Sequence, residues 1–357
     1  MARHWILVTH DYLPMKGGVA RYLADLVKAS NGAMQVIVPM DHPPTREQVE
    51  RQTFFARRGP FRWWPLVGLM RKLACRQDAQ VFISHVLPIG TAALLASFVS
   101  PLNYTILFHG LDLQLAKRSV WKWWLTRQIV KRARNICVNS KFVAGECLKA
   151  FPGKRPVLLT PGYEPRDLPA REVARKRLGL QPEEIILLNV ARLIPRKGLD
   201  RLLQVLPELP DQVCFVSIGD GIDRARLESL SNPLGQRAQF LGAVDDVIRD
   251  DWYAAADIFV FPVRRDEDDL EGYGIVCIEA SAAGLPVVVG NNGGAPETVI
   301  PEETGLVVDA DQLPELLSAL RRLIQDESLR KRLGAAGRAR VLQECNWADR
   351  WKTLADL

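Results

Sequence analysis

The feature that most limits how this chain can fold is the alternation, from end to end, of short apolar runs with helical patterns. In the first half "HWILVTH" is followed by Gly17-Gly18, then by Val19, Leu23, Leu26 and Val27 at helical spacing, then by "MQVIVP". In the second half "EIILLNVAR", "QVCFVSIG", "AQFLG", "DIFVFPV", "LPVVVG" and "TGLVV" are separated by helical stretches. Strands that alternate with helices pair in parallel, and strands apolar at nearly every position need cover on both faces. The chain therefore reads as α/β, with two parallel-sheet domains. A last helical stretch runs from about Gln312 to the C-terminus, with Leu313, Leu316, Leu317, Leu320, Leu323 and Ile324 on one face.

Two domains also suit the length, because 357 residues exceed the size at which one core stops growing. Charge draws the boundary. Residues 1–165 carry 23 basic and 9 acidic side chains, a balance of +14, whereas residues 166–357 carry 24 and 32, a balance of −8. The change falls at "TPGYEPRDLP", a Pro- and Gly-containing linker. The expected division is 1–165, 166–340, and a C-terminal helix at 341–357 that packs back toward the N-terminal domain. A basic half attracts phosphate-rich substrates or surfaces.

Several classes are set aside. The six cysteines are scattered without a C-x-x-C pair, which argues against a disulfide framework or structural zinc and for a reducing cytoplasm. The N-terminus has too short an apolar run before His10 and Asp11 for a signal peptide. Residues 79–111 contain no Asp, Glu, Lys or Arg, but Pro88, Gly90 and Pro101 divide them into strand, helix and strand, so no membrane-spanning helix is expected.

Ligands of open α/β sheets sit beyond the carboxyl ends of the strands. After "EIILLNVA" come Arg192, Arg196 and Lys197, ahead of a helix beginning near Gly198. They read either as solvated cations or as a clamp for a diphosphate, whose charge a helix N-terminus also favours. After "DIFVFPV" comes Glu271, then Gly272 and Gly274, which let a backbone approach a ligand closely, then a helix. Glu279 interrupts an otherwise apolar stretch of that helix, and a lone buried carboxylate costs several kcal/mol. Either it accepts hydrogen bonds from a polyol, as Glu271 would, or it pairs with a basic neighbour.

Taken in order, Gly17-Gly18, "LFHGLD" around His109, "VNS" at 138–140, "ARLIPRKG", "IGDG" at 218–221, "FLGAV" at 240–244, "EGYGIVCIEASAAGLPVVVG" and "GGAPE" resemble the retaining glycosyltransferases of family 4 over nearly the whole chain. "ARLIPRKG" and "EGYGIV" are similar to the phosphatidylinositol mannosyltransferases in particular. The resemblance implies the GT-B fold, two Rossmann-like domains facing a cleft. It also implies transfer of a hexose from a GDP- or UDP-linked donor, with no other cofactor and no metal. In that frame Arg192 and Lys197 hold the diphosphate, with Arg196 beside them. Glu271 and the amides of Gly272, Tyr273, Gly274, Ile275 and Val276 contact the sugar and distal phosphate, and Glu279 the ribose. Gly17 and Gly18 admit the diphosphate from the other domain, His109 lies near the sugar, and Val244 belongs to the loop beside the base. The front-face mechanism of such enzymes needs no carboxylate nucleophile. "TPGYEP" departs from the Asn-Gly turn frequent between the domains, and Tyr273 stands where Phe is frequent.

Rival readings use the same residues. Asp266-x-Asp268 has the spacing of a Mg²⁺- or Mn²⁺-binding pair, against a solvated acidic loop. "GDGIDR" starts like a dinucleotide fingerprint but has Arg224 for the third glycine. A nucleotide-sugar 2-epimerase shares the architecture without the paired Glu signature. A non-catalytic nucleotide-sugar or nucleic-acid binder is the other class, although no nucleic-acid module is recognised and no such partner is expected.

The basic half is also aromatic. Arg57, Arg58, Arg62, Arg71 and Lys72 surround Phe61, Trp63 and Trp64, and "KRSVWKWWLTRQIVKRAR" has no acid. On a single helix Lys117, Trp121, Trp124, Gln128 and Lys131 share one stripe. Such a stripe either packs within the domain or meets an anionic membrane surface. The second reading expects a peripheral enzyme on the inner face of the cell membrane with a lipid-linked or envelope-glycan acceptor.

Overall fold

The computed structural model describes residues 4–15, 17–56, 62–76, 78–265 and 270–357. Arg57, Arg58 and Phe61 of the basic aromatic segment, and the Asp266-x-Asp268 pair, lie outside the described residues. The chain forms two compact units, residues 1–162 with 347–357, and residues 163–346. The sequence reading set these borders at 165 and 340.

The N-terminal unit is built on seven parallel strands: β1 (His4–Val8), β2 (Met34–Pro39), β3 (Glu50–Gln52), β4 (Ala79–Ile83), β5 (Tyr104–Phe108), β6 (Asn135–Val138) and β7 (Val157–Leu158). Their order is β3-β2-β1-β4-β5-β6-β7. Between and around them run α1 (Gly18–Ala29), α2 (Trp64–Ala74), α3 (Thr91–Ala96), α4 (Leu111–Lys117), α5 (Val120–Arg132) and α6 (Lys141–Ala150). β4 and β5 are buried at every position, the condition of a central strand covered on both faces. The uncharged stretch thus supplies two central strands and α3, whose Ala92, Ala93 and Ala96 are fully buried. Ser119, extended at φ −142°, ends α4 and caps α5. Lys117 therefore does not share a helix with Trp121, contrary to the expected single stripe; it pairs with Glu146 at 3.3 Å.

The C-terminal unit has six parallel strands: β8 (Ile185–Val190), β9 (Val213–Ile218), β10 (Ala238–Gly242), β11 (Ile258–Phe261), β12 (Val287–Gly290) and β13 (Gly305–Val308), in the order β10-β9-β8-β11-β12-β13. Its helices are α7 (Arg171–Arg177), α8 (Leu199–Val205), α9 (Arg224–Ser231), α10 (Asp246–Ala255), α11 (Ile275–Ala282), α12 (Leu313–Gln325) and α13 (Glu327–Glu344). One core lies under α8 and α12, and another under α10 and α11. The single C-terminal stretch read from sequence is three helices. Asp326 caps α13 through a bond from the Leu329 amide, and α13 runs unbroken past residue 340.

The last helix, α14 (Trp347–Ala355), belongs to the N-terminal unit and packs against α1. Trp347 meets Tyr22 edge-on at 5.4 Å, Trp351 meets Trp5 at 5.2 Å, and Arg350 donates to the Thr160 carbonyl at 3.1 Å.

Candidate active site

In each sheet the chain order reverses once, and the crevice beyond the strand ends at that point is where open α/β sheets take ligands. In the C-terminal unit the reversal lies between β8 and β11. The segment after β8 holds Arg192, Arg196 and Lys197; the segment after β11 leads to Glu271. Gly198, at φ +68°, allows the two to touch, because a Cβ there would come within 2.0 Å of the Pro262 carbonyl oxygen. The Arg264 amide then donates to the Arg196 carbonyl at 3.0 Å. Gly293 does the same for Glu271: at φ +61° its own Cβ would lie 2.1 Å from the Glu271 carbonyl oxygen, which instead accepts from the Gly294 amide at 2.8 Å.

These approaches bring Lys197 and Glu271 together. Lys197 Nζ donates to Glu271 Oε2 at 2.5 Å, and Arg196 pairs with the same oxygen. All three side chains are almost wholly buried, and the Lys197 ammonium lies 4.3 Å from the centre of the Phe261 ring. Burial pushes the Glu271 carboxyl up, but the charges of Lys197 and Arg196 more than offset it and hold the group at about 2. Lys197 is shifted down, by burial first and then by Arg196 and Arg192, with Glu271 compensating only in part. Arg192 is exposed, and its guanidinium makes no ion pair with a described residue. Arg192 adds positive charge beside the pair, where an anionic ligand would meet it.

Beyond Glu271 the chain turns into α11. Gly274, at φ +99°, is its N-cap and no side chain caps the first turn, so the leading amides are available donors. The side chains here serve packing. Tyr273 is buried with Ile278, Ala282, Val341 and Cys345, Ile275 packs against that group, and Val276 and Val244 pack against the core under α10. The leading backbone amides of α11 remain for a ligand to meet.

Glu279 resolves the question of the charge in an apolar helix. Its Oε1 pairs with Arg166 at 2.8 Å and its Oε2 accepts from the Tyr253 hydroxyl at 3.0 Å. Arg166 also pairs with Asp250 at 2.7 Å and lies about equally far from the Tyr163 and Tyr253 rings. Burial opposes the charge on Arg166, yet Glu279 and Asp250 raise its pKa overall. The basic neighbour is therefore real, and it comes from the linker. Each carboxylate oxygen still has a lone pair for a further donor. Arg166, Tyr253 and Asp250 were missed by sequence reasoning, because no periodicity or motif singles out an arginine in a Pro-rich linker.

The remaining expected residues lie in the N-terminal unit. Gly17 and Gly18 are exposed at the start of α1. His109 follows β5; its amide donates to Asp112 at 3.2 Å and its ring lies 5.4 Å from Tyr22. Trp64, Trp121 and Trp124 are all more than 60% exposed, and Lys131 is exposed, whereas Trp63 and Trp123 pack on the core.

With this geometry in place, comparison with known proteins is decisive. A family model described as Glycosyltransferase Family 4 matches residues 16–188, and one described as Glycosyl transferases group 1 matches residues 170–340. The GDP-mannose-dependent alpha-(1-6)-phosphatidylinositol monomannoside mannosyltransferase of Mycobacterium tuberculosis is 31% identical over 98% of this chain and 97% of its own. The chain belongs to glycosyltransferase family 4. The transferase is also 37% identical, over 193 residues, to a GDP-mannose-dependent mannosyltransferase of Corynebacterium glutamicum acting on monoacylated alpha-(1-6)-phosphatidylinositol monomannoside, a match spanning 52% of this chain and 50% of that one. Among solved structures, sucrose-phosphate synthase from Thermosynechococcus elongatus superposes with a TM-score of 0.84 at 24% identity, covering 99% of this chain and 98% of that one. Anabaena HepE in complex with UDP and glucose gives 0.83 at 18%, with the same coverage. The transferase therefore has the GT-B architecture of two parallel-sheet α/β domains.

Proposed function

We propose that this transferase moves a hexosyl unit, mannose in the first instance, from a nucleoside-diphosphate sugar to a hydroxyl of a lipid-linked or envelope-glycan acceptor, with retention at the anomeric carbon. The observation that carries the reading is the Lys197–Glu271 pair at the β8/β11 reversal, with Arg192 exposed beside it and the uncapped N-terminus of α11 following. The cations would bind the diphosphate and neutralise the charge that grows on it as the bond from C1 to the phosphate oxygen breaks. The acceptor oxygen bonds to C1 on the same face, and its proton passes to the leaving phosphate oxygen. Glu271 and the backbone amides after it would hold the sugar, and Glu279, fixed by Arg166 and Tyr253, the ribose hydroxyls. Positive charge at the leaving group comes from side chains, so this reading needs no divalent ion. The relatives' dependence on GDP-mannose favours guanine over uracil as the donor base.

A peripheral position on the inner face of the membrane is part of the proposal. No helix among the described residues is long and apolar enough to cross a bilayer. Instead α3 packs against both α2 and α5, and these carry exposed Trp64, Val120, Trp121 and Trp124, with Phe98 and Val99 just after α3. Arg132 lies over the Phe98 ring at 4.1 Å, and Lys122 lies 5.8 Å from the Trp121 ring. Aromatic rings interleaved with cations suit the headgroup region of an anionic bilayer.

The direct test supplies radiolabelled GDP-mannose or UDP-glucose with vesicles containing phosphatidylinositol and follows label into the lipid. Transfer from GDP-mannose giving an α-linked product supports the reading. A β-linked product, or donor turnover without transfer to any hydroxyl acceptor, contradicts it.

A further inference from the structure

Lys197 and Glu271 belong to different segments, so the spacing between them depends on whatever ties those segments together. Arg264, just after β11, touches both sides through its backbone. Its amide donates to the Arg196 carbonyl at 3.0 Å, and its carbonyl accepts from the Asn292 side-chain amide. Asn292 is buried and directly precedes Gly293, which abuts the Glu271 carbonyl, and Gly294, whose amide donates to that carbonyl at 2.8 Å. Arg264 therefore stands between the turn Pro195–Lys197 and the loop that holds Glu271.

The side chain of Arg264 has an anchor of its own. Its guanidinium donates to Asp200 Oδ2 at 3.3 Å. Asp200 lies in the first turn of α8, immediately beyond the Lys197 turn and Gly198, and is buried. The same oxygen pairs with Arg226 of α9 at 3.5 Å, and Asp223 holds Arg226 through bonds of 2.6 and 2.7 Å. Segments that follow β8, β9 and β11 thus converge on one carboxylate oxygen.

The other oxygen sharpens the point. Asp200 Oδ1 is buried with no hydrogen-bond partner among the described residues. Buried polar atoms are nearly always paired, and one that is not calls for a reason. Here both cations are gathered on Oδ2, and the geometry that serves Arg264 is kept while Oδ1 goes without.

We propose that Asp200 is a positioning residue: by anchoring Arg264 it sets the spacing of Lys197 and Glu271, and with it the alignment of the donor diphosphate with the transferred sugar. Asp200 itself touches neither. The geometry stands alone, whereas its catalytic consequence rests on the transfer reading above. Misplacing a catalytic group by about 1 Å can cost about a hundredfold in rate, and alignment counts most as the bond breaks, so loss of the anchor should appear in kcat rather than in donor KM.

The test compares Asp200→Ala, Asp200→Asn, Arg264→Gln and Asp223→Asn in the full chain. Asp223→Asn weakens the hold on Arg226 but spares the Asp200–Arg264 bond, which makes it the control for general loss of stability. Amide hydrogen exchange at Arg264 and Gly294, read by NMR, measures the positioning without any substrate. Asp200→Ala and Arg264→Gln should exchange these amides about tenfold faster or more, Asp223→Asn should match wild type, and Asp200→Asn, which keeps an acceptor for Arg264, should fall between. In transfer assays kcat should drop about tenfold or more in Asp200→Ala and Arg264→Gln, with donor KM changed less than about threefold and part of kcat restored in Asp200→Asn. The double variant should lose no more than either single one, because both remove the same bond.

Unchanged exchange at both amides in Asp200→Ala overturns the proposal, as does a melting temperature that falls while kcat stays at the wild-type value. Losses that multiply in the double variant overturn it too. If Asp200→Ala fails to fold, Arg264→Gln carries the same readouts. A wild type that turns over neither GDP-mannose nor UDP-glucose counts against the transfer reading, and the exchange result then decides the anchoring by itself.

Discussion

Lys197 and Glu271, 74 residues apart in sequence, form a buried ion pair at 2.5 Å in which Arg196 is a second partner of the same carboxylate. Glu271 has two cationic partners, so variants at Lys197 and at Glu271 should behave differently. Lys197→Ala leaves Glu271 matched by Arg196, so the fold should survive while transfer falls by about 10²–10³, the range for loss of one donor aimed at developing charge. Glu271→Gln leaves the buried Lys197 ammonium without its counter-charge and should cost about 3–5 kcal/mol of stability. Added pyrophosphate should raise its melting temperature more than that of wild type. Initial rates and thermal melts decide both, and a Glu271→Gln protein as stable as wild type would mean the cations are already neutralised elsewhere.

The Arg166–Glu279–Tyr253 group predicts a graded pair of effects. Tyr253→Phe deletes one bond to Glu279 and should weaken nucleoside diphosphate binding by about three- to tenfold, in line with about 0.5–1.5 kcal/mol for a hydrogen bond. Arg166→Ala also strips Asp250 of a partner and should lower the melting temperature. If Glu279 holds the ribose, wild type should prefer GDP to its 2′,3′-dideoxy analogue and Glu279→Gln should not. Calorimetric titration gives each constant.

The imidazoles of His10, His85 and His109, which follow β1, β4 and β5 with ring centres 4.0 Å (His10–His85) and 6.4 Å (His85–His109) apart, should make the N-terminal unit acid-sensitive. His10 and His85 are lowered to about 4 and His109 to about 3, against an ordinary value of 6.5. Between those limits the unfolded chain binds protons that the folded one refuses, so their contribution is full above about pH 6.5 and is lost as pH falls toward 4. Asp112, raised to about 6 by burial, works in the opposite sense between its ordinary value and 6 and offsets one histidine there. Eight of the nine tryptophans lie in this unit, so tryptophan fluorescence reports it. Its melting temperature should fall from pH 6.5 to 4.5, and less steeply in His85→Gln.

Membrane association should depend on Trp121 and Trp124. Their joint replacement by Ser should reduce co-sedimentation with vesicles rich in anionic lipid by about tenfold or more, with nucleotide binding unchanged. Equal sedimentation on neutral and anionic vesicles would remove the electrostatic part of the surface.

Much of this was legible in the sequence where periodicity or a strand end marked it. Apolar runs gave both sheets, the rule of looking just past each strand led to Lys197 and Glu271, and the family resemblance led to His109. Applied evenly, that rule also reaches His10 and His85, which end "HWILVTH" and "VFISH". What stayed hidden depends on long-range approach. Arg166 meets Glu279 only because the linker folds back onto α10 and α11, and Lys117 leaves the tryptophan stripe only because Ser119 adopts an extended backbone. Neither is a local propensity.

A structure of the protein with a nucleoside-diphosphate sugar bound tests the central claim most directly. The account predicts diphosphate oxygens within about 3 Å of Lys197 Nζ and of the Arg192 guanidinium, with the Glu271 carboxylate turned to the sugar. A diphosphate seated elsewhere, with Lys197 and Glu271 still paired only to each other and Arg196, would contradict it.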